Sequence, residues 1–356
     1  MGESKNVTGG KNMRSVLLNK PEELIMRDIE KPKPAPGEVL IKVKRMGICG
    51  SDIHAYHGMH PTIYLPVVQG HEFSGVVAEL GEGVTGFEIG DRVTARPQYT
   101  CGECYHCKSG HENICHNLQV IGCNGKVPGA AQDYIPMRSH LVFKLPDNID
   151  FNSGAMVEPV AVAVAAVRTF TFDIKGKNIL VLGGGTIGNL VAQVAKAEGA
   201  KAVMITDVCD EKLEIAKKCG IDYTVNTVKQ DLEQATIDAF GKDGVDGALE
   251  CVGVETTVNQ AIKVCRKRDD IIIVGIYAKD PAIRMIDVQE KELKLIGTLM
   301  YLEKDYYESI RLISENLISL DPLKSAHFKL EEFEQAYHYI ADHRATAMKV
   351  LIDVDE

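Results

Sequence analysis

The sequence lacks several features that would assign it to a common non-enzymatic class. It has no excess of basic residues, because 40 Lys and Arg stand against 50 Asp and Glu, a formal net charge of −10 at pH 7. This balance argues against a surface for nucleic acid or for anionic lipid. No apolar run approaches the roughly 20 residues of a membrane-spanning helix. We therefore expect neither a nucleic-acid nor a membrane partner.

The first residues also lack the apolar centre of a secretory signal peptide. Residues 1–12, MGESKNVTGGKN, are polar, and we interpret them as a loose arm, with Met13 opening the first strand. The whole chain has an ordinary globular composition, with 45% apolar and 25% charged residues. At 356 residues it is too long for one ordinary core, so we expect two domains.

Cysteine, by contrast, is abundant and unevenly placed. Four of the ten cysteines, Cys101, Cys104, Cys107 and Cys115, fall within fifteen residues. Two-residue gaps let neighbouring sulfurs converge on one ion, and four thiolates close a tetrahedron around Zn²⁺. Such a site has no open position, so it stiffens a lobe and does no chemistry. Chance clustering, two disulfides and an iron–sulfur cluster are the alternatives. A clustered tetrad in a long chain favours zinc and a reducing, cytoplasmic setting.

The pattern of secondary structure changes near Gly176. Before it, short strands are separated by glycine and proline, as in a compact β-rich domain of barrel type. After it, apolar strands alternate with helices, with a strand at 178–185, a helix at 186–200 and a strand at 201–207. This alternation predicts an α/β fold with a parallel, doubly wound sheet. The last strand, at 347–354, is expected to return to the first domain.

Two further segments contain residues typical of a second metal site. GICGSDIH (47–54) contains Cys49, and QGHEFSGVVAELGEGV (69–84) contains His71 and Glu72. A catalytic zinc requires a mixed thiolate and imidazole set with fewer than four protein ligands, because one position must take water or substrate.

A glycine-rich turn predicts a dinucleotide site. The pattern Gly183-x-Gly185-x-x-Gly188 follows a buried strand and opens a helix. The pyrophosphate of the dinucleotide is expected to lie at the start of that helix, where Thr186 and Ile187 stand and backbone N–H groups are free.

The end of the following strand indicates which dinucleotide is bound. Asp207 lies nineteen residues after Gly188, and its carboxylate suits the two ribose hydroxyls of NAD. Lys212 lies close by in the sequence and would neutralise the extra phosphate of NADP. We expect NAD as the cofactor, with Asp207 and Lys212 at its adenosine end.

Together these segments resemble the zinc-dependent medium-chain dehydrogenases, and in particular their sorbitol and polyol branch. The zinc signature of that family is matched from Gly70-His71-Glu72 to Gly90-Asp91-Arg92-Val93, and the four clustered cysteines match its structural-zinc loop. The resemblance implies a GroES-like catalytic domain (13–165, completed by 305–356) and a Rossmann NAD-binding domain (166–304). It places the active site between them, with two zinc ions per chain. It also implies a small hydroxylated substrate and a homodimer or homotetramer.

The resemblance further implies roles for single residues. Glu158, in AMVEPVAVAV (155–164), matches the third zinc position, where simple alcohol dehydrogenases have cysteine and the polyol branch has Glu-Pro. A carboxylate hardens the ligand shell, which suits a hydroxyl-rich substrate. Either Glu158 or Glu72 ligates the zinc directly, and in the second arrangement Glu158 acts through a water. The turns at Val252 and Gly275 are expected to flank the nicotinamide.

Three residues of the first segment are expected to move protons or to hold a ligand. Asp52 is expected to accept a hydrogen bond from the free ring nitrogen of His71. Ser51 and His54 match the family's proton relay, in which Ser51 takes the proton of the alcohol and His54 passes the charge towards solvent.

Two departures from the sorbitol branch lie at the expected substrate end. An Arg-Tyr pair is replaced by Met300-Tyr301, and a tyrosine directly after the relay histidine is replaced by Ala55. These changes argue against sorbitol itself. We expect oxidation of a secondary alcohol on a polyol, sugar acid or vicinal diol, preferred in that order, to a ketone. The alternatives are a threonine- or sugar-phosphate-type dehydrogenase and a non-catalytic NAD-binding protein.

Overall fold

The computed structural model describes residues 12–123 and 127–355. The proposed N-terminal arm therefore lies outside the described residues, except for its last member. Asn12 already belongs to the first strand, so the strand starts one residue before the predicted start at Met13.

The elements fall into three consecutive stretches of the described chain. The first contains the strands β1 (Asn12–Lys20), β2 (Glu23–Glu30), β3 (Glu38–Gly47), β4 (Glu72–Leu80), β5 (Arg92–Ala95), β6 (Gln98–Tyr99), β7 (Gln119–Val120), β8 (Tyr134–Arg138) and β9 (Val142–Lys144). Its helices are α1 (Gly50–Tyr56), α2 (Tyr105–Lys108), α3 (Phe151–Ala155) and α4 (Val157–Arg168).

The second stretch alternates strands with helices, as the sequence predicts. Its strands are β10 (Asn178–Leu182), β11 (Ala202–Asp207), β12 (Tyr223–Asn226), β13 (Val245–Glu250), β14 (Cys265–Ile273) and β15 (Lys294–Gly297). Its helices are α5 (Thr186–Ala197), α6 (Asp210–Lys218), α7 (Leu232–Phe240), α8 (Glu255–Val264) and α9 (Met285–Glu290). The third stretch contains α10 (Glu303–Ser314), β16 (Lys324–Lys329), α11 (Phe333–Asp342) and β17 (Lys349–Asp353).

The second stretch forms a parallel sheet in the order β12-β11-β10-β13-β14-β15. Its central strand, β10, is nearly continuously apolar because helices cover both faces of a parallel sheet. The chain leaves β10 in one direction for β11 and β12, and returns on the other side for β13. At such a reversal the helices diverge and leave a crevice beyond the carboxyl ends of the strands. This confirms the predicted doubly wound sheet.

The other large sheet is mostly antiparallel, in the order β16-β17-β3-β4-β5-β9, with β8 also paired to β3. β17 pairs antiparallel with β3, so that Leu351 lies opposite Gly47. The end of the described chain therefore returns to its beginning, as predicted, and lies beside the strand that leads into Cys49.

Helix α4 connects the two regions. Its sequence, VEPVAVAVAAVR, is apolar on all sides, and a helix of this kind is stable only when it is buried. It packs against α5 and α10. Pro159 lies in the first turn, where the missing N–H would have no helical partner. This position holds Glu158 at the buried start of the helix. The domain boundaries after residues 165 and 304 remain predictions.

No helix in the described parts of the chain is both long enough and apolar enough to cross a membrane.

Candidate active site

The four clustered cysteines converge in a lobe between β6 and β7, which we call the cysteine lobe (residues 101–115). Their sulfurs lie 3.4 Å apart for Cys101–Cys115, 3.5 Å for Cys104–Cys107, and 3.9 Å for the pairs Cys101–Cys107 and Cys104–Cys115. Sulfurs bound about 2.3 Å from one ion at the corners of a tetrahedron are about 3.8 Å apart. Disulfide sulfurs would be about 2 Å apart, and all four thiols are free. The donor set therefore fits a structural zinc.

Backbone amides favour the thiolate form of Cys101 and Cys104, whereas burial raises the pKa of Cys107 to about 12. The N–H of Cys101 donates to the sulfur of Cys115 at 3.3 Å, and the N–H of Cys104 donates to Cys101 at 3.4 Å. Backbone hydrogen bonds from Cys107 and His116 lower the pKa of Cys104 to about 6. The thiolate is the form of cysteine that binds metal.

Cys49, His71 and Glu72 meet at the end of β3, and we call these three residues the catalytic cluster. One ligand atom from each lies within 4.8 Å of the other two. Cys49 precedes the first turn of α1, and Glu72 lies opposite Gly47 in the β3–β4 ladder. A side chain at position 47 would place its Cβ 2.2 Å from a carboxylate oxygen of Glu72, so glycine leaves the room that this carboxylate needs. Thiolate, imidazole and carboxylate form the three-ligand set of an open zinc site.

A buried lysine holds the carboxylate of this cluster. Lys349, the first residue of β17, is 4% exposed. Its Nζ donates to Glu72 Oε1 at 2.8 Å, to Glu72 Oε2 at 2.5 Å and to the carbonyl of Ile48 at 3.0 Å. Burial alone would lower the pKa of Lys349, but the negative charges of Glu72 and Cys49 raise it above its usual value. Lys349 is therefore a fixed cation behind the cluster.

Glu158 lies outside the catalytic cluster but close to it. Its Oε1 accepts a hydrogen bond from the hydroxyl of Tyr301 at 2.6 Å, and both side chains are buried. Burial raises the pKa of Glu158 to about 7; the nearby charge of Glu72 adds to the rise, and His71 and the Tyr301 hydrogen bond oppose it. Tyr301 is itself held by Gln98, whose amide donates to its backbone carbonyl at 3.1 Å.

The expected hydrogen bond from His71 to Asp52 is wrong in its geometry. Asp52 Oδ1 lies 3.9 Å from Nδ1 of His71, which is too long for a hydrogen bond. The other oxygen of Asp52 accepts from the N–H of Cys49 at 3.0 Å, and Oδ1 is buried without a partner among the described residues. A different atom, the sulfur of Cys123, lies nearer to His71 Nδ1, at 3.7 Å.

The two residues of the predicted proton relay lie in α1. Ser51 is half-buried and His54 is exposed. Their spacing of three residues places them on one face of the helix, in order from the cluster towards solvent. Helix α1 is fixed from outside, because Gln69 donates to the carbonyl of Asp52 at 2.9 Å and Tyr337 donates to Gln69 at 2.8 Å. The relay roles remain predictions.

The glycine-rich turn has the shape that a pyrophosphate site requires. Gly183 has φ 106°, and a Cβ there would lie 2.7 Å from Val252. A Cβ on Gly188 would lie 1.8 Å from the carbonyl of Gly183, so only glycine lets α5 pack this closely on β10. A Cβ on Gly185, which precedes the Thr186–Ile187 start of α5, would meet no atom within 4 Å. Open space therefore lies before the free amides of α5.

Asp207 is held rigidly at the end of β11. Its Oδ2 accepts from the N–H of Gly184 at 2.7 Å, and its Oδ1 accepts from Val208 and Cys209 at 2.8 and 2.9 Å. The carboxylate thus joins the glycine-rich turn to the start of α6, which also carries the half-buried Lys212. A carboxylate fixed at this place suits a ribose diol.

The two turns expected beside the nicotinamide touch each other. A Cβ on Gly275 would lie 2.3 Å from the N–H nitrogen of Gly253, and the two turns share one buried carboxylate. Glu250 accepts from the N–H groups of Val252 and Gly253, each at 2.9 Å, and from the hydroxyl of Tyr277 at 2.9 Å. Glu250 therefore fixes the position of Val252 relative to Gly275.

Three residues of the site carried no usable signal in the sequence. Lys349 opens an otherwise apolar strand, and a lysine at a strand end is usually solvated. Cys123 is one of six scattered cysteines, and Glu250 ends a buried strand in a region without a recognisable motif. The sequence gives only one indication for Lys349 and Glu250, namely that each is a charged residue at the end of a buried strand.

Comparison with known proteins agrees with this geometry. Residues 35–147 match the alcohol dehydrogenase GroES-like domain, and residues 186–315 match the zinc-binding dehydrogenase domain. The chain is 37% identical to a sorbitol dehydrogenase of Halalkalibacterium halodurans over 91% of its length and 94% of the relative's. It is 37% identical to a 2-dehydro-3-deoxy-L-galactonate 5-dehydrogenase of Pseudoalteromonas atlantica (90% and 92% covered). It is 36% identical to an L-threonine 3-dehydrogenase of Deinococcus deserti (88% and 91% covered).

A solved structure shows the same architecture. The crystal structure of 2R,3R-butanediol dehydrogenase from Bacillus subtilis superimposes with a TM-score of 0.88 at 32% identity, covering 96% of this chain and all of that one. The match extends over both sheets, so the relationship includes the catalytic and the nucleotide-binding regions alike. The chain therefore belongs to the zinc-dependent medium-chain dehydrogenase family, and it is an NAD-dependent zinc alcohol dehydrogenase that acts on hydroxylated small molecules.

Proposed function

We propose that this enzyme oxidises a secondary alcohol on a polyol, a sugar acid or a vicinal diol to a ketone, with NAD as the acceptor. The observation that carries the proposal is the pair of buried carboxylates, Glu72 and Glu158, beside the Cys49–His71 pair. A shell with one thiolate and carboxylate oxygens is harder than a shell with two thiolates. It suits a substrate that offers two neighbouring oxygens.

The residues of the catalytic cluster would hold the catalytic zinc. Glu72 supplies the third ligand in this assignment, because its carboxylate lies in the cluster and that of Glu158 does not. The cysteine lobe would hold the second, structural ion. When bound, the catalytic zinc lowers the pKa of an alcohol or water, and NAD accepts the hydride.

The chain's own residues position the reacting groups and move the proton. Tyr301 fixes the carboxylate of Glu158 through a hydrogen bond, and Lys349 balances the charge of Glu72. Ser51 accepts the proton of the substrate hydroxyl, and His54 passes the charge to solvent. Buried walls around Glu158 keep bulk water from competing for the same hydrogen bonds.

The preference for NAD rests on Asp207. Its carboxylate is held in place by three backbone N–H groups, and a carboxylate there repels a 2′-phosphate and accepts hydrogen bonds from ribose hydroxyls. Lys212 takes part in none of these hydrogen bonds, which join Asp207 to Gly184, Val208 and Cys209.

Three basic residues, Arg96, Arg168 and Lys126, belong to none of the sequence motifs and are candidates for binding a phosphorylated substrate. Arg96 is buried and pairs with Glu112 at 3.1 Å, and Arg168 pairs with Asp305 at 3.0 Å. Each arginine therefore already pairs with a carboxylate of the protein, while Nε of Arg96 is buried without a partner among the described residues. This favours uncharged polyols and diols over sugar phosphates. The third unplaced cation, Lys126, lies outside the described residues.

The proposal includes a homodimer or homotetramer and a cytoplasmic location. β15 is an edge strand, and large exposed apolar side chains lie around it, namely Ile276, Met285, Ile286 and Leu299. An apolar surface beside an open strand edge is typical of an interface. All ten cysteines are free, which suits a reducing compartment. Light scattering of the purified protein would give the assembly size.

The testing experiment is formation of NADH by zinc-replete protein across a panel of polyols, vicinal diols, sugar acids, L-threonine and sugar phosphates, repeated with NADP. We expect the highest kcat/KM on a member of the first three classes with NAD. The variant Glu158→Gln should lower kcat about 100-fold while keeping two zinc ions per chain. A higher kcat/KM for threonine or for a sugar phosphate would contradict the proposed substrate class. Unchanged kcat in Glu158→Gln would contradict the role of Glu158.

A further inference from the structure

The ring of His71 needs a partner at the nitrogen that does not face the metal. A ligating histidine is normally fixed by a hydrogen bond from its second ring nitrogen, and that partner sets the tautomer and the ring orientation. Asp52 is placed for this task by its sequence position, yet its free oxygen remains 3.9 Å from Nδ1 and is buried without a partner.

Cys123 takes the nearer position. Its sulfur lies 3.7 Å from His71 Nδ1, within the reach of an N–H···S hydrogen bond, although 52 residues separate the two in sequence. The side chain of Cys123 is half-buried and packs against the core that includes Phe73 and Ile121.

The backbone around Cys123 is joined to the segment that carries His71. A Cβ on Gly122 would lie 2.8 Å from the backbone nitrogen of Gly70, so the chain can approach this closely only with glycine in that place. Gly122 has φ 71°, in the region that glycine adopts most readily. On the far side of the turn, the N–H of Ala130 donates to the carbonyl of Gly70 at 2.9 Å.

The same turn is also closed on itself. The N–H of Gly122 donates to the carbonyl of Val127 at 3.0 Å, and the N–H of Cys123 donates to that of Val120 at 3.2 Å. These bonds fix the Cα of Cys123 relative to Gly70, the residue before His71. The backbone of the two segments therefore brings the Cβ of Cys123 near His71, and the χ1 rotamer of Cys123 places its sulfur 3.7 Å from Nδ1.

We propose that Cys123 is a positioning residue for the catalytic zinc, whose sulfur accepts the Nδ1–H of His71 and leaves Nε2 directed at the metal. Asp52 lies near the same ring nitrogen, but its free oxygen is 3.9 Å away and makes no hydrogen bond to it. A thiol accepts more weakly than a carboxylate, so this pair fixes the ring of His71 less tightly than an Asp–His hydrogen bond would. The inference rests on the proposed assignment of His71 as a zinc ligand.

The test compares four variants by the rate at which a chelating dye removes zinc. Cys123→Ala should release one of the two zinc ions about 10-fold to 100-fold faster than the wild type, the usual cost of losing an outer partner of a metal ligand. Cys123→Ser should restore much of the loss, because its hydroxyl also accepts. Cys123→Val keeps the volume without an acceptor and should behave like Cys123→Ala. Cys219→Ala removes a half-buried thiol of the Rossmann region and should release zinc at the wild-type rate.

A second readout separates orientation from packing. In protein with cobalt at the catalytic site, the visible absorption bands report the geometry of the ligands, and they should shift in Cys123→Ala and Cys123→Val but not in Cys219→Ala. The proposal is overturned if Cys123→Val retains zinc and the cobalt spectrum of the wild type, since the role would then be one of volume alone. It is also overturned if Cys123→Ala releases zinc at the wild-type rate.

One further variant distinguishes failure of this proposal from failure of the assigned ligand. His71→Ala should lose the fast-released zinc altogether. If it retains two zinc ions, the assignment of His71 is wrong and the proposed function must be revised. If it loses one ion while Cys123→Ala does not release zinc faster, only the role of Cys123 falls.

Discussion

The cysteine lobe and the catalytic cluster both gather metal ligands, but they draw them from very different lengths of chain. All four ligands of the lobe lie between residues 101 and 115. The cluster and its supports come from residues 49, 71, 72, 123, 158, 301 and 349. A local site can form as soon as its loop closes, whereas a dispersed site requires both sheets and α4 in place. The cysteine lobe therefore helps to stabilise the fold, whereas the catalytic cluster forms only once the fold is complete.

Removing one thiolate from each site tests most directly whether the two sites form independently of each other. Cys104→Ser should lower the zinc content from two ions to one and expose the lobe to protease, because structural zinc supplies about 10 kcal/mol or more to small zinc-bound folds. Cys49→Ser should also leave one ion per chain, but the lobe should stay resistant. Elemental analysis with limited proteolysis gives both quantities. Equal protease sensitivity in the two variants would show that the sites are not independent.

The next largest expected effect is a loss of stability on replacing Lys349, which supports the catalytic cluster. In zinc-free protein, Lys349→Met leaves the carboxylate of Glu72 buried without a cation, which should cost about 3–5 kcal/mol of unfolding free energy. The double variant Lys349→Met/Glu72→Gln removes both charges and should regain most of that loss. Urea unfolding of the two proteins provides the measurement. A single variant within 1 kcal/mol of the wild type would mean that Glu72 takes a proton or finds another partner.

The smallest effect concerns the short helix before α4. The side chain of Asp150 accepts from the N–H of Ser153 at 2.6 Å at the start of α3. Burial alone would raise the pKa of Asp150, but the hydrogen bonds from Ser153 lower it below the ordinary value of 3.8. Asp150→Ala should cost about 1 kcal/mol at pH 7.

The pH dependence of this loss follows from the direction of the shift. Because the folded-state pKa is lowered, the stabilisation is present above pH 3.8 and disappears as the pH falls through the folded value. The difference between Asp150→Ala and the wild type should therefore become smaller in acid, by the part that depends on the charge of Asp150. A difference that persists unchanged below that range would assign the effect to something other than the charged cap.

The same contrast explains how far the sequence alone could be interpreted. The four cysteines, the glycine-rich turn and the alternation of strands and helices are local patterns, and each predicted the structure around it. The Lys349–Glu72 pair spans 277 residues and the Tyr301–Glu158 bond spans 143. Nothing in either neighbourhood indicates the other, because such pairs are set by the packing of whole sheets. The sequence correctly predicted that an acceptor would lie beside the free ring nitrogen of His71. It named Asp52, whereas the sulfur of Cys123, on a different turn, lies nearer to Nδ1.

The pairing of β17 with β3 has a consequence for biosynthesis. Lys349 enters the site from a strand that leaves the ribosome long after Cys49, His71 and Glu72 have been made. Until translation has passed β17, Glu72 lacks its cation and β3 lacks the strand that pairs with its residues Arg45–Gly47. The nascent chain can therefore close its cysteine lobe early but cannot assemble a working catalytic centre. A catalytic centre supported by Lys349 therefore forms only after translation has passed β17.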